Sequence, residues 1–150
     1  MCSSDLQWKI NDLPSGEAYQ LSSFLDFTFS EVRDYIISIA EELVRNFDVD
    51  GLELCFRDRI YFPAGKSRDR ESLMTDMVKK VHEMLYNENQ AKGVKLTLGA
   101  RAFQTINDCR DMGLDVTTCI TKGYLDYVSP SHQITTDIKA SYDAFSQHPV

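Results

Sequence analysis

The stretch that most constrains this chain is Asp48-Val-Asp-Gly-Leu-Glu-Leu-Cys-Phe-Arg-Asp-Arg-Ile-Tyr-Phe-Pro63. A charged turn runs into a segment in which Leu52, Leu54 and Phe56 alternate with Gly51, Glu53, Cys55 and Arg57. Successive side chains of a strand point to opposite faces, so this spacing predicts a strand with one apolar face. The other face carries a carboxylate, a thiol and a guanidinium. Such a set is costly to bury unless its members pair or do something. A polar row that ends in a loop is how the strands of a parallel α/β protein present a site.

The flanking segments fit that reading. Before the strand, Val32, Tyr35, Ile36, Ile39, Ala40, Leu43, Val44 and Phe47 follow helical spacing, with Ser30 as the expected N-cap and Glu31 near the positive end of the helix dipole. After it, Leu73, Met74, Met77, Val78, Val81, Met84 and Leu85 mark a second helix from about Asp69, expected to fray from Asn87 to Gly93. Val94 to Ala102 predicts a second strand, with Arg101 at its carboxyl end beside the end of the first. Thr105–Met112 and Val116–Lys122 read as short helices, Tyr124–Val128 as a third strand, and Thr135–Phe145 as a weak helix. Upstream, Gln7–Asp12 reads as the end of a strand and Leu13–Leu25 as a loop. Strands alternating with helices are the pattern of parallel β/α units. A doubly wound sheet and a section of a (β/α)₈ barrel both fit. No G-x-G-x-x-G and no Walker motif stands at a strand-to-helix turn, which removes the simplest nucleotide-binding reading.

At 150 residues the chain makes one domain at most, and its 43% apolar share is enough for a core. A net charge of −7 with no basic stripe argues against nucleic-acid binding. No apolar run reaches membrane-spanning length. Cys2, Cys55, Cys109 and Cys119 show no C-x-x-C and no zinc spacing, so free thiols are expected. No His/Asp/Glu set has ligand spacing, so neither metal nor other cofactor is expected. Nothing here specifies compartment or oligomeric state. Met1–Leu6 match the translated end of a sequencing adapter, so residues 1–6 are read as a non-native leader, with 7–150 as the natural part, against the alternative of a natural flexible N-terminus.

Four stretches carry a family likeness. They are S-E-V-R-D-Y-I (30–36), D-V-D-G-L-E-L-C-F (48–56), M-T-D-M-V (74–78) and G-L-D-V-T-T-C-I-T-K-G-Y-L-D-Y-V-S-P-S (113–131). Together they resemble bacterial glycosyl-hydrolase-like TIM-barrel proteins of the family-10-like group, over about residues 25–131. The resemblance implies the central part of one (β/α)₈ barrel, truncated at both ends, acting on carbohydrate. The first strand would be about the fourth of eight, and Asn11 and Asp12 would end the one before it. Many relatives carry Asp where this chain has Cys55. If that Asp is catalytic, this chain lacks it, which opens the alternative of a non-catalytic carbohydrate-binding barrel.

Glycosidases commonly place two carboxyl groups across the scissile bond. Glu53 is the first candidate, against a structural role paired with Arg101 or Arg57. Asp12 is the second, against a turn or cap role. Arg57 and Arg101 are candidates for forked hydrogen bonds to hydroxyls or a carboxylate. Tyr61, with Phe62, is a candidate for stacking on a sugar ring, against a small loop core. Trp8 has the same two readings. Ser131 and His132, beyond the third strand, are candidates for substrate contact. His82, amid Lys79, Lys80 and Glu83, is expected in solvent.

Overall fold

The computed structural model describes residues 7–10, 24–56, 60–130, 143 and 146. Within them the order is α1 (Ser30–Asn46), β1 (Gly51–Cys55), a 3₁₀ turn (Arg68–Arg70), α2 (Glu71–Lys92), β2 (Thr97–Ala102), α3 (Ile106–Asp111), α4 (Val116–Thr121) and β3 (Tyr127–Pro130). The strands form a three-stranded parallel sheet in the order β1-β2-β3. The chain is therefore mixed α/β, with each strand joined to the next through helix. Residues 11–23, 57–59 and 131–142 lie outside the description, and with them Asp12, Arg57, Ser131, His132 and most of the Thr135–Phe145 segment.

One face of the sheet makes the core. Leu98, Ala100 and Ala102 of β2 are buried, Leu52 and Leu54 of β1 pack on the same cluster, and α2 contributes Met74, Met77, Val78, Val81 and Leu85. The short helices add Cys109, Val116, Cys119 and Ile120 to it. Period two in the strands and period 3.6 in α2 thus meet in one apolar layer, as their spacing predicts. Phe62 is fully buried, and Gly113, in the left-handed region at φ 81°, lets it approach: a Cβ there would lie 2.5 Å from the ring.

Helix α1 is covered on only part of its apolar surface. Val32, Ala40 and Val44 are buried, whereas Tyr35, Ile39, Leu43 and Phe47 are exposed. Its start also differs from the sequence expectation. Phe29 occupies the N-cap, and Ser30, one residue inside, turns its hydroxyl to the Glu31 carboxylate. The segment before the helix is held instead by Arg33, which donates to the carbonyls of Phe27 and Thr28.

Helix α2 runs further than its sequence suggests. It continues to Lys92 and ends on Gly93 at φ 68°. Its last turns are tied to α1 by Arg45 with Glu88 at 2.8 Å and by Lys92 donating to the Val44 carbonyl. Asn89 then accepts from the Leu96 amide at 2.7 Å, so pairing in β2 starts at Thr97 rather than Val94. Strand β3 starts three residues and ends two residues beyond expectation. Leu125 is drawn into the core, and Asp126 grips β2 at both ends of Leu98, its carboxylate accepting from the amide at 2.7 Å and its own amide donating to the carbonyl at 2.8 Å.

Candidate functional site

The second face of the sheet has no helix on it among the described residues. Gly51, Glu53 and Cys55 of β1 stand beside Thr97, Gly99 and Arg101 of β2 in parallel register, and Tyr127 and Ser129 of β3 continue the rows. Glu53, Cys55, Arg101 and Tyr127 are exposed. The polar side of the alternation in β1 is thus the open side of the sheet.

Glu53 and Arg101 meet there. Arg101 Nη2 lies 3.1 Å from Glu53 Oε1, a diagonal contact, since the register partner of Arg101 is Cys55 and that of Glu53 is Gly99. The side chains are 46% and 29% exposed, so water screens the pair and its contribution to stability is small. Geometrically it is a carboxylate held in one orientation by a guanidinium, with a thiol alongside. Glu53 is the only carboxylate on this face of the three strands among the described residues.

Tyr127 completes the row, and sequence reasoning did not single it out. Its ring lies over Gly99, where a Cβ would stand 2.0 Å from the ring carbon Cζ. Gly99 is buried even though it belongs to the open face, and Tyr127, 44% exposed, is what covers it. An aromatic ring therefore flanks Glu53 on the opposite side of β2. The signal was present as a glycine inside a strand, which marks a close approach. The partner depended on the register of β3.

Tyr61 does not have the position expected for a stacking residue. It is 4% exposed, with its ring edge-on to Phe27 at 5.2 Å and to Phe56 at 6.0 Å, and its hydroxyl donates to the Cys55 carbonyl at 3.4 Å. Phe62 is buried too. These rings serve the loop core, Tyr61 at 4% and Phe62 at 0% exposure. Trp8 is half-buried, and its Nε1 is enclosed without a partner among the described residues. His82 is partly buried on α2, with its ring 5.9 Å from that of Tyr124, rather than free in solvent.

The remaining features bear on chemistry less directly. Asp26 is the buried carboxylate among the described residues, with Oδ1 accepting from the Thr28 amide at 2.8 Å, a local turn contact. Cys109 and Cys119 lie in the core, and burial pushes both thiols up to about 12, far from thiolate chemistry. No group of three or more His, Cys, Asp or Glu among the described residues could hold a metal ion. No helix among them is long and apolar enough to cross a membrane. A polar depression of 520 Å³ lies between the start of α2 and α4, lined by Arg68, Asp76, Lys79 and Lys122. It is on the helical side, away from Glu53, and Arg68 is already paired with Asp111 at 2.6 Å.

No protein-family model matches this chain, and no curated protein matches it.

Proposed function

We propose that this chain is the central part of a (β/α)₈ barrel that acts on carbohydrate, with Glu53 as its working carboxylate and Arg101 as the residue that positions it. The observation that carries the reading is the Glu53–Arg101 pair on the uncovered face of a parallel sheet whose helices pack on the other face. A barrel closes such a face into an interior and places its site at the carboxyl ends of the strands. The strand order is that of a singly wound segment, and the four motifs of the family likeness lie on α1, β1, α2 and the α4–β3 region.

In this reading Glu53, held against a cation, has the role of base or nucleophile rather than proton donor. The donor comes from another strand, and Asp12 is the candidate within this sequence. Tyr127 takes over the aromatic role first assigned to Tyr61, since its ring stands beside Glu53 and is exposed. Arg57, Ser131 and His132 follow β1 and β3 in sequence and are proposed to contact substrate from the loops.

Cys55 favours a second reading, a carbohydrate-binding barrel without hydrolytic activity. It stands opposite Arg101, at the position where the related motif has Asp. The deciding experiment is Glu53→Gln in the complete protein, assayed for glycan hydrolysis and for sugar binding. The enzyme reading expects hydrolysis to fall by at least about a hundredfold with binding retained, because the lost group acts in the transition state. Activity within about tenfold of the parent removes Glu53 from the chemistry. A parent that binds glycans and hydrolyses none establishes the binding barrel.

A further inference from the structure

A cavity of 280 Å³ opens at the carboxyl end of β1, lined by Phe24, Phe27, Ile36, Leu54, Tyr61 and Met77 among others. None of the described lining residues is charged. Its walls come from separate parts of the fold: the segment before α1, both long helices, the end of β1 and the segment after it. They are braced. Phe27 and Tyr61 meet edge to face, the Phe27 amide donates to the Tyr61 carbonyl at 2.8 Å, and the Phe56 amide donates to the Arg101 carbonyl at 2.8 Å. Apolar walls fixed in this way do not collapse inward to remove the void, and a void leaves its lining without contacts on one side.

We infer that this cavity is a binding site for a small uncharged ring, aromatic or aliphatic. A cavity of about 150 Å³ with comparable lining admits benzene, and small-molecule pockets begin near 300 Å³. The space here therefore takes one ring with a short substituent. The described lining offers no charge to replace the hydration of an ionic ligand, which favours an uncharged one. Met77 of α2 and Ile36 of α1 line the cavity from its helical side, so their methyl groups report its occupancy. The inference does not depend on the carbohydrate reading, because it concerns binding of an uncharged ring and not hydrolysis.

The test uses the whole chain. Indole is titrated while the methyl resonances of Met77 and Ile36 are followed, with Met84, which does not line the cavity, as the control. The expected result is saturable movement of both lining methyls with one half-saturation, while Met84 stays still. Unmoved Met77 and Ile36 methyls in a chain with a cooperative thermal transition overturn the inference. So does movement of Met84 equal to that of Met77, which would mark a diffuse effect and not occupancy of this cavity.

Discussion

The two faces of this small sheet are built from the same strands and obey opposite rules. Towards the helices, Leu98, Ala100 and Ala102 are at most 1% exposed, and two cysteines are buried with them. Towards the other side, Glu53, Cys55, Arg101 and Tyr127 are exposed, Glu53 paired with Arg101 and Tyr127 lying over Gly99. Stability belongs to the first face, where removal of apolar area from water is nearly complete. The second carries the proposed site, where a carboxylate and a cation are held in place at little cost or gain to the fold. A single shift of register would exchange the two sets, so the alternation that makes the core also sets out the site.

The largest effect should come from ionising the covered face. The thiols of Cys109 and Cys119 are raised from an ordinary 9.0 to about 12 by burial, with Asp108 and Asp115 respectively adding to it. Between those values the folded protein keeps protons that the unfolded chain has lost. Its stability is thus fully present below pH 9 and is lost as pH rises towards 12. Chemical denaturation followed across that range should show a steep fall, and Cys109→Ala with Cys119→Ala should flatten it. An equal slope in the double variant would show that the covered face is not the alkaline weak point.

Phe62→Ala should come next, costing about 3–5 kcal/mol in denaturant titration, because the ring is fully buried and fitted against Gly113. A loss below about 1 kcal/mol would mean that the loop core is not continuous with the main one. Gly99→Ala should cost about 1 kcal/mol, at the low end for overpacking, since the Tyr127 ring can swing into solvent. Adding Tyr127→Ala should recover most of that loss. Failure to recover would place the strain in the strand backbone. Smallest of all is the open face itself. A double-mutant cycle on Glu53→Gln and Arg101→Met should give a coupling of about 0.2–1 kcal/mol. A coupling well above that range would mark the pair as a structural element and blur the division between the faces.

Long periodic segments were the most legible parts of the chain. The stripe of α2 is buried as its spacing predicts, because seven apolar residues in phase leave little alternative. The polar row of β1 and its neighbour Arg101 were legible for the same reason. Boundaries were less so. The start of β2 depends on Asn89 taking the Leu96 amide, and the start of β3 depends on Asp126 bonding to Leu98, side-chain contacts across 7 and 28 residues that periodicity does not encode. The end of α2 depends on ties to α1 that no local pattern reveals. Stacking was assigned to Tyr61 because an aromatic after a strand end suits a loop site, whereas packing by Phe27 and Phe56 buried it. Tyr127 was missed because a three-residue shift in β3 decides which ring faces Glu53.

The ring of Tyr127 over Gly99 also gives this face its own magnetic signature. An aromatic ring shields nuclei that sit against its flat side, and the α-protons of Gly99 are the nuclei placed there. One of them points at the ring and the other away, so their resonances should separate widely, with one displaced upfield. A molecule that settles over Gly99 must either lie on the outer side of the ring or push it aside. The first leaves the separation intact and the second collapses it, so one glycine resonance reports how the face is occupied as well as whether it is.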